Sequence, residues 1–102
     1  MDQNKRPPIS LKEAIELGEY EPKYLAQFPE WEQLTTHIQL EYIRKAIENR
    51  RRQLVVQWAQ VNNVLDFRLK PELKEVLDKL SEQIRQLDRD QEKIWIEYAD
   101  KM

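Results

Sequence analysis

The chain has 102 residues, of which 35% are charged, with one glycine, no cysteine and a formal net charge of −2 at pH 7. This length suits one domain with a modest core, and the lack of cysteine excludes a disulfide framework and thiolate metal sites. The composition is typical of long charged helices with regularly spaced apolar residues, and not of a disordered chain.

The first residues and the length of the apolar runs give information about the cellular compartment of the protein. Residues 1–10 have no apolar centre, so they do not resemble a signal peptide, and no apolar run approaches the length of a membrane span. A chain without cysteine is also compatible with a reducing compartment. The sequence therefore predicts a cytoplasmic protein.

A flexible tail over 1–9 is predicted to lead into a short helix over 11–17. Ser10 and Glu13 have the spacing of a capping box, and Gly18 stands where a helix commonly ends. The apolar positions on one face of this helix are Leu11, Ala14 and Ile15. Because so short a helix is not stable alone, it must dock on another part of the chain.

A connector over 18–29 carries an unusual apolar load. Its large apolar residues are Tyr20, Tyr24, Leu25 and Phe28. Side chains of this size need a surface to cover, and the nearest one is the helix that follows.

A long helix is predicted over 30–66, because Pro29 suits a helix start and neither glycine nor proline recurs before Pro71. Its seam positions recur at steps of four and three: Thr36, Leu40, Ile43, Ile47, Arg50, Leu54, Gln57, Val61 and Val64. This heptad period predicts one face that a second helix covers.

The last helix is predicted over 71–101, after a turn over 67–70 that precedes Pro71. Its seam positions are Leu73, Leu77, Leu80, Ile84, Leu87, Gln91, Ile94 and Tyr98. Two helices with such seams and a short connection fold back antiparallel. The fold-back is expected to place Arg50 near Leu87 and Ile43 near Lys93.

The predicted fold is thus all-α: one domain over 10–102, built as a long antiparallel, coiled-coil-like hairpin with the short helix and aromatic connector packed at its open end. Apolar residues at that end exceed one seam: Trp31, Leu34, Ile38 and Tyr42 on one arm, and Trp95, Ile96, Ala99 and Met102 on the other. A helix that is apolar on two faces needs two partners. The second partner is either the N-terminal arm or a second copy of the chain.

Three segments carry a resemblance to known proteins. They are LKEAIELGEYEPKYLAQFPEW, RKAIENRRRQLVVQWAQVNN and DFRLKPEL. Together they resemble small uncharacterised all-helical proteins of cyanobacteria. The resemblance covers most of the chain and implies no activity, cofactor or binding residue.

Two sets of residues are candidate binding sites. The first is an aromatic patch for a protein partner, formed by Tyr20, Tyr24, Phe28, Trp31 and Trp95. Its alternative is packing of the arm on its own hairpin. The second set is a basic belt that could bind a polyanion: Arg44, Lys45, Arg50, Arg51 and Arg52. Its alternative is pairing with Asp88, Asp90 and Glu92 of the last helix.

No pattern indicates catalysis or a cofactor. His37 and Glu41 share a helix face, but two ligands fall short of a metal site. The chain also lacks a glycine-rich phosphate loop and a nucleophile–base arrangement. The sequence predicts a non-enzymatic interaction module that acts as an adaptor, assembly factor or small regulator. The module is predicted to be homodimeric, so its partners are a second copy of itself and an unidentified protein. No cofactor and no membrane are expected to take part. The alternative is nucleic-acid or polyanion binding through the basic belt.

Overall fold

The structure is a computed structural model that describes residues 8–64 and 71–101. The regular elements in these ranges are all helical: α1 (Leu11–Glu16), α2 (Pro22–Leu25), a 3₁₀ helix (Pro29–Gln33), α3 (Thr36–Val64) and α4 (Glu72–Lys101). The prediction of an all-α hairpin with a short N-terminal helix is confirmed. Residues 8–35, which precede α3, are called the arm below.

Helix α1 begins and ends where its local sequence directs. The Ser10 hydroxyl accepts the Glu13 backbone N–H, and the Glu13 carboxylate accepts the Ser10 backbone N–H, both at 3.0 Å. This capping box supplies partners for N–H groups that a helix start leaves unpaired. The bond from Ser10 also lowers the pKa of the exposed Glu13 carboxyl. At the other end, Gly18 has a φ of 86°, which terminates the helical path.

The prediction that the long helix begins at Glu30 is wrong. Pro29 starts only the short 3₁₀ helix, and Leu34 then takes extended backbone angles, with φ −80° and ψ 145°. Helix α3 begins at Thr36, because the Thr35 hydroxyl accepts the Ile38 backbone N–H at 3.2 Å and caps a new helix start.

The other predicted boundaries fall close to the observed ones or outside the described residues. Helix α4 begins at Glu72, one residue after the predicted start, and α1 ends at Glu16, one residue before the predicted end. Residues 65–70, which include the predicted turn, and residues 1–7 of the predicted tail lie outside the described ranges.

Helices α3 and α4 pack antiparallel along the predicted seams. The buried seam residues are Ile43, Ile47 and Leu54 on α3, and Leu77, Leu80, Leu87, Ile94 and Tyr98 on α4. The Tyr98 hydroxyl donates to the Gln39 side-chain oxygen at 3.2 Å, and Arg51 donates to Gln91 at 3.3 Å. The first of these bonds joins the end of α4 to the start of α3, and the second joins the middle parts of the two helices, as the fold-back requires.

The arm covers one side of this hairpin. Leu25 and Phe28 have no exposed surface, and Trp31 is 4% exposed. Together with Leu11, Ala14 and Ile15 they form one core with α3 and α4 residues such as Ala46 and Ile94. Since burying one large apolar side chain contributes about 1.5–3 kcal/mol, the arm is an integral part of the fold.

Candidate functional site

The side of the hairpin that the arm does not cover carries an open groove between α3 and α4. The groove has a volume of about 740 Å³ and is lined by His37, Leu40, Glu41, Arg44, Ile47, Glu48, Arg51, Gln91, Trp95 and Ala99. Seven of these residues belong to α3 and three to α4, and the lining includes none from the arm. The groove is thus a surface of the hairpin alone.

The floor of the groove is apolar. Ile47 is buried at its base, while Leu40 and Trp95 are half-buried and Ala99 is exposed. Leu40 and Ile47 are two helical turns apart on α3, and Trp95 and Ala99 are one turn apart on α4. These side chains therefore form two parallel rows, with partly exposed apolar surface between the two helices.

The α3 rim of the groove carries charges of alternating sign. Glu41, Arg44, Glu48 and Arg51 follow one another at steps of three, four and three, which places them along one edge of the helix. These four residues are called the charge stripe below. Arg44 and Glu41 lie 3.4 Å apart, with side chains that are 60% and 52% exposed.

Arg51 is the member of the charge stripe that also holds the two helices together. Its guanidinium donates to the Asp88 carboxylate and to the Gln91 side-chain oxygen, both on α4. Its side chain is only 36% exposed. Arg51 therefore has a structural role in addition to its place on the rim.

The opposite side of α3 is occupied by the arm through three side chains. Asn49 donates to the Ile15 carbonyl at 2.9 Å, Gln53 to the Leu17 carbonyl at 3.0 Å, and Arg50 to the Gly18 carbonyl at 3.2 Å. These bonds bring side-chain donors to one carbonyl in the last turn of α1 and to two carbonyls just after it, where a helix end leaves carbonyls short of intrahelical partners. They fix the arm on α3 and leave the groove side free.

A contact with α4 fixes the arm at a second point. The Tyr20 hydroxyl donates to Asp90 at 2.6 Å. Burial raises the pKa of Tyr20, and the bond to Asp90 and the charge of that carboxylate raise it further. The neutral hydroxyl thus holds the connector against α4.

The structure divides the predicted aromatic patch. Phe28 and Trp31 are buried inside the chain, and Tyr24 packs its ring edge-to-face on Phe28 with centroids 5.8 Å apart. Tyr20 is half-buried and bonded to Asp90. Only Trp95 lies in the groove, so these five residues do not form one docking surface.

The predicted basic belt is also divided. Successive residues of an α-helix are turned by about 100°, so Arg50, Arg51 and Arg52 point in three different directions. Arg50 pairs with Glu19 at 3.3 Å and Arg51 pairs with Asp88. The predicted alternative, pairing of the belt with acids of the last helix, therefore describes Arg51 but not Arg50. Arg50 and Leu87 do line the same cavity, as predicted. Arg44, Lys45 and Arg52 remain exposed.

The remaining predicted positions have ordinary structural surroundings. His37 and Glu41 are exposed on the groove rim, and Ser10 caps α1. Within residues 8–64 and 71–101, no group of three His, Asp or Glu side chains has a metal-binding arrangement.

Sequence reasoning missed the groove because it assigned Leu40, Ile47 and Gln91 to a closed seam. The alternating charge stripe was the available signal, since four charges on one edge of a seam helix indicate that this edge is not enclosed in an apolar seam.

Searches against models of protein families, curated proteins and solved structures found no match. The resemblance to small cyanobacterial proteins stays a prediction. No helix in the described part of the chain has the length and apolar character needed to cross a membrane.

Proposed function

We propose that this protein is a non-enzymatic interaction module, an adaptor, assembly factor or small regulator, that binds an amphipathic helix in the groove between α3 and α4. The observation that supports this proposal is the groove itself, with its apolar floor and its rim of both charge signs. A groove of this kind suits a helix that presents apolar residues at steps of three and four.

The dimensions of the groove suit such an occupant. From His37 to Arg51 the α3 rim advances by 14 residues, which is about 21 Å or four helical turns. A helix of that length lying between α3 and α4 would cover Leu40, Ile47 and Trp95 and complete a small bundle. Its polar flank would meet the charge stripe at the rim.

Polyanion binding remains the alternative function, and the geometry favours it less. A polyanion site needs several cations on one surface, whereas the five predicted cations are spread around α3 and three of them pair with acids of the same chain. Salt-sensitive retention on heparin that disappears in the Arg44→Ala, Lys45→Ala, Arg52→Ala triple variant would favour this alternative.

Photo-crosslinking tests the proposed function. A photoreactive amino acid is placed in the groove, at His37 or at Ala99, and for control at Glu16, which is exposed on α1. We expect a covalent adduct with a protein from both groove positions and none from the control position. Absence of any adduct at both groove positions would contradict the proposed function.

A further inference from the structure

The order of charges along the groove rim is self-complementary. The charge stripe runs acid, base, acid, base from Glu41 to Arg51. The outer pair, at positions 41 and 51, and the inner pair, at positions 44 and 48, are both centred on position 46. When two such stripes run antiparallel about this midpoint, every acid faces a base.

This complementarity selects one arrangement of two α3 helices. In a parallel pair in register, Glu41 would face Glu41 and Arg44 would face Arg44, and like charges at such distances repel. An antiparallel pair shifted by one turn would lose the match at the outer positions. Only the antiparallel pair centred near Ala46 uses all four charges of both stripes.

We propose that the helix which fills the groove is α3 of a second copy of this chain, running antiparallel about a twofold axis near Ala46. This inference rests on the proposed function and names its partner. Glu41 of each copy faces Arg51 of the other, and Arg44 faces Glu48. Such a contact is isologous, as in most homodimers.

The apolar floor and the shape of the chain suit this arrangement. Leu40 and Trp95 of each copy lose their remaining exposed surface as the two grooves close on one another. The Cα atoms extend over 53 × 35 × 17 Å, and the radius of gyration of 16.8 Å exceeds the value of about 13 Å typical of a 100-residue domain. A slab of this thickness is suited to being one layer of a helical bundle.

The arm leaves this contact accessible. It is bound to the other side of α3 through Asn49, Arg50 and Gln53. Arg51 keeps its bonds to α4 in the dimer and presents the rest of its guanidinium at the rim. The dimer therefore forms without rearrangement of the monomer fold.

Charge reversal at Arg44 and Glu48 tests the pairing, because both side chains are exposed and each faces the other across the axis. Arg44→Glu alone places two acids opposite each other twice per dimer, and Glu48→Arg alone does the same with two bases. Each single variant should dimerise about tenfold or more weakly than the wild type, given the usual strength of exposed ion pairs. Light scattering and sedimentation across the micromolar range measure this, with thermal melts to verify folding.

Two combinations restore the match and exclude a general loss of stability. The double variant Arg44→Glu, Glu48→Arg should dimerise as the wild type does. An equimolar mixture of the two single variants should form a heterodimer. The matched control is Lys12→Glu, a charge reversal at an exposed position of α1, which should leave dimerisation unchanged.

Three results would overturn the inference: a wild-type monomer throughout the micromolar range, single variants that dimerise as the wild type does, or a double variant as weak as either single one. The mass of the crosslinked adduct distinguishes failure of this inference from failure of the proposed function. An adduct of twice the 12.5 kDa chain mass supports the second copy. An adduct of another mass with a monomeric wild type refutes the second copy and leaves the groove as a binding site for a different helix. No adduct refutes both.

Discussion

Gly18 and Arg50 meet at the closest approach of the arm to α3. The Arg50 guanidinium donates to the Gly18 carbonyl at 3.2 Å, and a Cβ atom on residue 18 would lie 3.0 Å from both the Cα and the Cβ of Arg50. With its φ of 86°, Gly18 both reverses the chain and lets the arm touch the backbone of the long helix.

Gly18→Ala should destabilise the protein by about 1–3 kcal/mol, because a positive φ is strained for alanine and its Cβ would push the arm away from α3. The free energy of unfolding in denaturant measures this. Leu17→Ala, at a neighbouring position that is 53% exposed, is the control and should change stability by less than about 0.5 kcal/mol. Equal stability of Gly18→Ala and wild type would show that the arm does not approach α3 so closely.

Arg50→Leu should lower stability by about 1–2 kcal/mol, because it leaves the Gly18 carbonyl without its donor. A polar residue at a seam position can instead serve to fix the register of the two helices, and replacing such a residue by leucine would raise stability. The ion pair with Glu19 contributes little, since the two side chains are 33% and 40% exposed. Thermal melts compare this variant with Arg52→Leu, an exposed neighbour, and a raised melting temperature for Arg50→Leu would support the register role.

Removing residues 1–28 should abolish cooperative unfolding or cause aggregation. The deletion takes away the buried side chains of Leu11, Ala14, Ile15, Leu25 and Phe28. At about 1.5–3 kcal/mol for each large side chain, the loss is comparable with the whole stability of a small domain. As a milder test, Phe28→Ala should cost about 3–5 kcal/mol, whereas Gln27→Ala, which is exposed, should be nearly neutral. An unchanged melting temperature after the deletion would mean that the arm is not docked.

Stability should fall when the pH rises above about 10, the ordinary pKa of tyrosine. Burial raises the pKa of Tyr20 and of Tyr98 in the folded chain. The unfolded chain therefore releases these protons first as the pH rises, and the stability present below pH 10 is lost above it. Denaturant melts at about pH 9 and pH 11 should show a smaller loss for Tyr20→Phe than for the wild type. An equal loss of stability in Tyr20→Phe and in the wild type would show that Tyr20 does not contribute to this pH dependence.

The hairpin could be predicted from the sequence because its signal is local. All five buried residues of α4, from Leu77 to Tyr98, lie on the predicted seam. The start of α3 was misplaced, although Thr35 carried a capping signal, because the run from Glu30 lacks a helix breaker. Local propensity alone does not reveal that Leu34 takes extended angles.

The roles of the polar residues on α3 could not be predicted in the same way. Asn49, Arg50 and Gln53 donate to carbonyls at or just after the end of α1, which are more than 30 residues away in sequence. Such bonds depend on where the arm docks, and that is set by the combined burial of residues such as Leu25 and Phe28. The groove depends on the same docking, because the arm covers the other side of the hairpin and leaves this side open.

The antiparallel pairing of two α3 helices is tested most directly by distances between identical spin labels in the dimer. The chain has no cysteine, so single cysteines introduced at the exposed positions Lys45, Val55 and Asn62 can be labelled selectively. With a twofold axis near Ala46, the two identical labels in the dimer are separated along the helix axis by about 3 Å at position 45, about 27 Å at position 55 and about 48 Å at position 62. Pulsed electron paramagnetic resonance should therefore give a distance that rises steadily from position 45 to position 62. A constant distance at all three positions, or the absence of any distance between copies, would contradict this pairing.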